Sequence, residues 1–439
     1  MTIRNQDPIQ LEQHGLSKRT NGLKGTLKVP GDKSITHRAI MLGGIAEGQT
    51  IVRNYLKSAD CMSTVQCMRD LGVQIEERDD SLYIEGLGYS GLKEPDKVLD
   101  VGNSGTTIRL LSGLLAGLPI YTVLSGDSSI HRRPMSRVSD PLRRMGAKII
   151  GRDGGRLAPL SINGGGTEGI LYESPIASAQ VKSAILLCGL HSSGTTTVTE
   201  PYLSRDHTER MLKGFGVEVR REGSTVEIQG RQTLKGTKVD VPADISSAAF
   251  MLAAAVITPN SHLTLMEVGL NPTRTGILDI LERMGANVTI KNERVLTEEP
   301  IADLVVSTSN LKAVDIEGDI IPRLIDELPI IALLATQAEG TTTIKDASEL
   351  RYKETDRIEA VAQQLRNIGI RVETTPDGMI IEGKQSIAGG DADSMGDHRI
   401  GMMLAVASCI SDAPIKINNL SAVGISYPSF LADLDSLSE

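Results

Sequence analysis

Several short segments of this chain bring cations, small hydroxyl residues and carboxylates together at places where a helix is about to begin. Gly31-Asp32-Lys33-Ser34-Ile35-Thr36-His37-Arg38 follows a predicted strand and opens a helix. Lys33, Ser34 and Arg38 set two cations and a hydroxyl beside the unpaired N–H groups of a helix start, a combination suited to one anion. It is not a P-loop, because the glycine required six residues before the lysine is absent. The competing explanation is a turn followed by a solvated basic helix face. Gly102-Asn103-Ser104-Gly105-Thr106-Thr107-Ile108-Arg109 repeats the logic with small residues, which let the backbone approach a ligand closely. Ser178-Ala179-Gln180-Val181-Lys182-Ser183 begins a third such helix. Its small polar groups suit phosphate or ring hydroxyls, and an ordinary helix start explains them as well.

Four further segments add charge. His131-Arg132-Arg133-Pro134 lines up basic groups that repel one another unless an anion or carboxylates meet them. Leu350-Arg351-Tyr352-Lys353-Glu354-Thr355-Asp356-Arg357 mixes both signs, with Glu354 set between Lys353 and Arg357. The cations there lower its pKa and burial raises it, and the sequence leaves that contest open. Ile320 to Pro329 places Asp326 and Glu327 at the mouth of a nearly uncharged helix, where Asp326 is either a general base or a cap. Asp397-His398-Arg399 precedes the apolar run Ile400 to Ile410, with Asp397 a candidate cap and the helix start again favourable to an anion.

The elements that must position these groups recur. A helix end, an apolar residue, a glycine and a strand appear at Leu71-Gly72-Val73, Met145-Gly146-Ala147, Phe215-Gly216-Val217, Met284-Gly285-Ala286 and Ile368-Gly369-Ile370. Alternating strands recur with them, at Thr50 to Arg53, Tyr121 to Leu124, Thr196 to Thr199, Leu263 to Met266, Thr342 to Lys345 and Ile415 to Asn418. The pitch predicts six units. The last, ending at Leu431 to Leu437, lacks its glycine cap and needs the N-terminal strand to complete it. Helices such as Ser246 to Val256 and Leu328 to Thr336 are apolar on most sides and belong in an interior. The expected fold is therefore α/β (α+β), with buried helices enclosed by small sheets and units grouped three and three into two lobes. Residues 1–30 and 243–439 are expected to form one lobe and residues 31–242 the other.

Composition narrows the function. At 439 residues the chain exceeds one ordinary core. With no Trp and three Phe it offers little surface for stacking bases, and a net charge of −9 argues against holding nucleic acid through a bulk positive field. Cys61, Cys67, Cys188 and Cys409 form no CxxC pair, which suggests free thiols, a cytoplasmic setting and no structural zinc. Met1 to Thr20 is polar, without a signal-peptide hydrophobic run, and a frayed start is expected there. No apolar stretch is long enough for a membrane span.

Together these motifs resemble the enolpyruvyl transferases from about Leu23 to Pro428. The strings P-G-D-K-S, G-N-S-G-T-T-I-R, R-R-P, S-A-Q, D-E-L-P, L-R-Y-K-E-T-D-R and G-D-H-R carry the likeness, and K-E-T-D-R and D-H-R point to the shikimate branch. The resemblance implies a two-lobed inside-out α/β barrel of six βαβ-type units with the active site in the cleft between lobes. It implies transfer of the enolpyruvyl group of phosphoenolpyruvate to the 5-hydroxyl of shikimate 3-phosphate, without metal or organic cofactor. Lys33, Ser34, Arg38, Ser178, Ala179, Gln180, Asp326 and Lys353 would then hold shikimate 3-phosphate. Lys33, Asn103, Gly105, Arg133, Gln180, Arg357 and Arg399 would hold phosphoenolpyruvate. Asp326 would take the hydroxyl proton, Glu354 would serve the methylene carbon, and Lys33 would balance charge. A monomer that closes over its ligands is expected, with glyphosate as a candidate inhibitor.

The chain also departs from the family pattern. Ala422 to Pro428 lacks a lysine found in many members, Leu110 replaces a proline, and His207 stands where a tyrosine is usual. Two other readings compete. The sister transferase acting on UDP-N-acetylglucosamine typically carries a reactive cysteine in the loop of Arg133, where this chain has Ser128-Ser129-Ile130-His131. A non-catalytic repeat scaffold would explain six units but not the ionisable clusters at their edges.

Overall fold

In the computed structural model, which describes the backbone of residues 14–16 and then residues 22–438, the glycine-punctuated repeat becomes a repeat of small sheets. The expectation for Met1 to Thr20 lies, apart from that backbone, outside the described residues. All five helix-ending glycines adopt positive φ, from 80° at Gly285 to 110° at Gly146. That region costs a side-chain-bearing residue energy and lets the chain turn from helix to strand. The six alternating segments are all strands: Glu47–Arg53, Tyr121–Ser125, Thr195–Thr199, His262–Gly269, Thr341–Ile344 and Ile415–Asn418. Lys345 falls one residue beyond its strand.

The chain divides into two units, Met1–Pro30 with Ala243–Arg294 and Ile301–Glu439, and Gly31–Pro242 with Val295–Pro300. In the second of these, three four-stranded sheets share one pattern. Leu99–Asp100 runs parallel to Tyr121–Ser125, and Leu171–Glu173 runs parallel to Thr195–Thr199. Each central strand then pairs antiparallel with the next hairpin. A helix must connect two parallel neighbours, and here it is Gly105–Ala116 in one sheet and Ala179–Gly189 in the other. In the third sheet Lys238–Asp240 takes the parallel place beside Glu47–Arg53.

The other unit obeys the same rule with the complementary exchange. Lys24–Leu27 lies parallel to His262–Gly269, filling the place that Lys238–Asp240 would otherwise have taken. Asp315–Ile316 runs parallel to Thr341–Ile344, and Gly390–Asp393 to Ile415–Asn418. Among the described residues the last sheet has three strands, and its antiparallel member is His14–Leu16, so the N-terminal strand completes the sixth repeat.

Each unit buries the connecting helices at its centre. Every residue from Ile245 to Val256 is buried in Ile245–Ile257, as is every residue from Leu328 to Thr336 in Leu328–Gln337. The helix predicted from Ile400 to Ile410 instead spans His398–Ala407. It starts two residues earlier because Asp397 caps it, accepting from Arg399 N at 2.9 Å. In the other unit Lys33–Ile45, Gly105–Ala116 and Ala179–Gly189 are likewise buried beyond their first turns, Arg109 excepted. Gly113 shows how closely they pack, since a Cβ there would stand 2.2 Å from Ala184 O on the neighbouring helix. All four cysteines are free and buried, and among the described residues no helix is long and apolar enough to cross a membrane.

Candidate active site residues

A helix apolar on every side can display polar groups only at its ends, and that is where the candidate residues sit. In the unit of residues 31–242, Asp32 caps Lys33–Ile45 by accepting from Ile35 N at 2.8 Å. Ser104 caps Gly105–Ala116 from Thr107 N at 3.1 Å, and Ser178 caps Ala179–Gly189 from Val181 N at 3.5 Å. The caps satisfy part of each helix start and leave the remaining first-turn N–H groups and their dipole facing outward.

Side chains bind these three helix starts to one another. Arg109 donates to Gln180 Oε1, and Gln180 Nε2 donates to Thr106 Oγ1 at 3.2 Å. Arg38 reaches Ser183 Oγ at 2.8 Å, Thr208 Oγ1 at 2.7 Å and Ser34 O at 3.0 Å. Lys33 Nζ lies 3.2 Å from Asp60 Oδ2. His37 Nδ1 is 2.7 Å from Thr64 Oγ1, which is 2.7 Å from Thr107 Oγ1. Burial, reinforced by Lys33 and Arg38, lowers the His37 pKa to about 3 and keeps the imidazole neutral. Arg133, buried in the loop predicted for it, donates to Asn103 Oδ1 at 3.2 Å and Ser129 Oγ at 3.1 Å. A Cβ on Gly105 would stand 2.7 Å from Arg133 Nη1, so these two positions of the sequence are in contact. Lys33, Ser34, Arg38, Asn103, Gly105, Ser178, Ala179 and Gln180 therefore occur at linked helix starts of one unit, with Arg133 reaching them from its loop.

The other unit gathers the acids. Asp326 Oδ1 lies 3.1 Å from Lys353 Nζ and 3.3 Å from Arg357 Nη1. Glu354 Oε2 lies 2.7 Å from Arg357 Nη2, and Asp397 Oδ2 lies 2.8 Å from Arg357 Nε. Arg399 donates to Asp326 O at 2.9 Å and stands 3.7 Å from Glu327 Oε1. One guanidinium thus holds three carboxylates. Burial alone would lower the pKa of Arg357, but Asp397, Glu354 and Asp326 together push it above its ordinary value. The sequence left Asp326 as base or cap; Glu327 occupies the cap position of Leu328–Gln337. Asp397 is a cap and an ion-pair partner at once.

The sequence did not reveal the buried partners of three groups. Glu327 accepts from Ser246 Oγ, whose neighbour Arg274 pairs with Asp244 at 3.1 Å, so a fully buried carboxylate backs Arg399. Lys182 is buried between Glu200 at 2.8 Å and Glu209 at 2.9 Å. His207 Nδ1 lies 2.7 Å from Glu299 Oε1. A charged residue inside an apolar helix, as at Lys182, was the one visible signal, because such a charge requires a buried partner.

Comparison with known proteins agrees with the chemistry. A family model described as EPSP synthase (3-phosphoshikimate 1-carboxyvinyltransferase) matches residues 17–434. A 3-phosphoshikimate 1-carboxyvinyltransferase of Geobacillus thermodenitrificans is 58% identical over 424 residues, covering 96% of this chain and 98% of its own. The enzyme of that name from Bacillus subtilis is 57% identical over 418 residues, covering 95% and 98%. The solved EPSP synthase of Acinetobacter baumannii superposes with a TM-score of 0.87 at 45% identity, covering 97% and 98%. The enolpyruvyl transferase NikO from Streptomyces tendae superposes with a TM-score of 0.78 at 19% identity, covering 97% and 96%, a likeness of fold. Neither the sugar-nucleotide reading nor the scaffold reading is favoured by these relatives. This chain belongs to the EPSP synthase family, the 3-phosphoshikimate 1-carboxyvinyltransferases, which transfer the enolpyruvyl group of phosphoenolpyruvate to shikimate 3-phosphate.

Proposed function

We propose that the two sets of helix-start residues divide this reaction between them. Lys33, Ser34, Arg38, Ser178, Ala179, Gln180, Asp326 and Lys353 hold shikimate 3-phosphate. Lys33, Asn103, Gly105, Arg133, Gln180, Arg357 and Arg399 hold phosphoenolpyruvate. Asp326 accepts the proton of the 5-hydroxyl as its oxygen bonds to C2 of phosphoenolpyruvate, and Glu354 delivers a proton to the C3 methylene. The resulting tetrahedral carbon carries the phosphate, the carboxylate and the new ether oxygen. Lys33, Arg133, Arg357 and Arg399 balance that anionic charge. Removal of a C3 proton by Glu354 and departure of phosphate from C2 restore the double bond. No metal or organic cofactor takes part in these steps.

The observation that carries the reading is the shared guanidinium of Arg357, which bonds Asp326 on one arm and Glu354 on another. The two proton-handling groups are thereby fixed in one rigid network, at a separation the substrate's reacting atoms must match. Incubation with phosphoenolpyruvate and shikimate 3-phosphate, followed by assay of phosphate, tests it. Release with UDP-N-acetylglucosamine in place of shikimate 3-phosphate would overturn it.

Because the proposed shikimate 3-phosphate ligands come from both units, binding brings Lys33 and Arg38 to the same molecule as Asp326 and Lys353. A fall in the radius of gyration on adding that ligand, read by small-angle scattering, is the expected result. Glyphosate competes for the phosphoenolpyruvate groups, and the protein acts as a cytoplasmic monomer.

A further inference from the structure

Lys182 has only three N–H donors, and each has a buried acceptor. Its Nζ lies 2.8 Å from Glu200 Oε2, 2.9 Å from Glu209 Oε1 and 3.4 Å from Ser204 O. The three charged residues are 2% to 3% exposed. Burial pulls the lysine pKa down, but Glu209 and Glu200 more than reverse this, so the ammonium stays charged. Two carboxylates around one ammonium leave a buried excess of negative charge, an arrangement costly enough to require a reason.

The two glutamates differ in what else they hold. Glu209 Oε2 has no hydrogen-bond partner. Glu200 uses both oxygens: Oε1 accepts from Ser178 N at 2.9 Å, and Oε2 accepts from Ser204 Oγ at 2.8 Å. Ser178 N–H belongs to the cap of Ala179–Gly189, the turn that carries Ala179 and Gln180. The same helix presents Ser183 to Arg38. One buried frame thus runs from Ser178 through Glu200 and Lys182 to the neighbour of Arg38's partner.

We propose that Glu200 is a positioning residue for shikimate 3-phosphate, fixing the Ser178-Ala179-Gln180 turn through the Ser178 N–H and the Lys182 ion pair. Ser178 Oγ already accepts from Val181 N, so its own proton is available to donate to a ligand once the turn is held. Glu200 touches no substrate; it acts through the turn. Glu209 neutralises Lys182 and fixes nothing beyond it. The inference rests on the assignment of Ser178 to shikimate 3-phosphate made above.

The test is steady-state kinetics with each substrate varied in turn, on Glu200→Gln, Glu209→Gln and Ser178→Ala. A charge-assisted hydrogen bond to the turn is lost in Glu200→Gln, so the KM for shikimate 3-phosphate should rise about tenfold while that for phosphoenolpyruvate holds within about twofold. Glu209→Gln removes an equally buried charge from the same lysine and should leave both KM values in place. Equal behaviour of the two glutamine variants would mean a structural role only and would overturn the proposal. Ser178→Ala separates the two levels. If it leaves the shikimate 3-phosphate KM unchanged, the substrate assignment falls; if it raises that KM while Glu200→Gln does not, only the positioning role falls. Should Glu200→Gln not be recovered folded, Glu200→Asp keeps the charge, withdraws the carboxylate from Ser178 N and carries the same expectation.

Discussion

Arg357 Nε stands 2.8 Å from Asp397 Oδ2, with the two side chains at 1% and 0% exposure. Asp397 spends its other oxygen on the first turn of His398–Ala407, accepting from Arg399 N. The start of that helix is therefore anchored to the guanidinium that also holds Glu354 and Asp326. Arg357→Met would leave three carboxylates without their shared cation. A loss of about 3–5 kcal/mol in urea denaturation is expected, the usual result of breaking a buried pair from one side. A variant as stable as the parent would show that the three carboxylates find other compensation.

Glu354→Gln keeps the shape of the side chain and an oxygen for Arg357 to bond, but removes the exchangeable carboxyl proton. Turnover should fall by about 10²- to 10⁴-fold, the range of a general acid–base group. Calorimetric binding of shikimate 3-phosphate should be nearly unchanged. Normal turnover in a stable variant would remove Glu354 from the chemistry.

Two glycine-to-alanine changes should part company. At Gly105 the new methyl meets the far end of a flexible side chain, Arg133 Nη1 at 2.7 Å. The guanidinium can swing aside, so the thermal midpoint should hold while the KM for phosphoenolpyruvate rises. At Gly113 the methyl meets backbone, Ala184 O at 2.2 Å and Ala184 Cα at 2.5 Å. Neither helix can yield without moving whole, and a loss of roughly 1–3 kcal/mol from overpacking is expected. A Gly105→Ala enzyme with an unchanged KM for phosphoenolpyruvate would place that substrate elsewhere.

Acid should weaken the unit of residues 31–242 through two histidines. Burial, with Lys33 and Arg38 adding to it, lowers His37 to about 3, and burial alone lowers His191 to about 3. Both are neutral when folded, whereas the unfolded chain protonates them near the ordinary imidazole value of 6.5. Their contribution is fully present above that value and is lost as pH falls from 6.5 toward 3. The slope is at most about 1.4 kcal/mol per pH unit for each histidine. Urea denaturation at neutral pH and near pH 5 reads it, and His37→Gln with His191→Gln should flatten the difference.

Much of this was legible in the residues because repetition amplifies weak signals. A single apolar-Gly-strand junction says little, but Gly72, Gly146, Gly216, Gly285 and Gly369 at one pitch announce a repeat, and each turns with positive φ. Apolar runs such as Ile245–Ile257 declare buried helices because no polar face is available to meet water. The exchange of Lys24–Leu27 and Lys238–Asp240 between otherwise similar sheets was only partly visible, since parallel pairing leaves no turn chemistry to read. Glu327 was visible beside Asp326, but not its bond to Ser246, because that contact depends on how distant helices pack. The same holds for Glu200 and Glu209. Nothing near them in sequence shows that both meet Lys182, and the partner of a buried charge is fixed only when the chain has folded around it.

The strand Lys24–Leu27 has its own relation to the far end of the chain. Lys24 N donates to Leu437 O at 2.7 Å, and Leu23 bridges Ser438. On the ribosome, Gly31–Pro242 emerges as an almost uninterrupted stretch and can begin to organise early. The strand that precedes it must wait for its sheet partner, His262–Gly269, and its bond to Leu437 closes only once the sixth repeat has been made. Translation speed through the stretch that follows Pro242 therefore sets how long that early strand stays exposed to chaperones, proteases and neighbouring nascent chains.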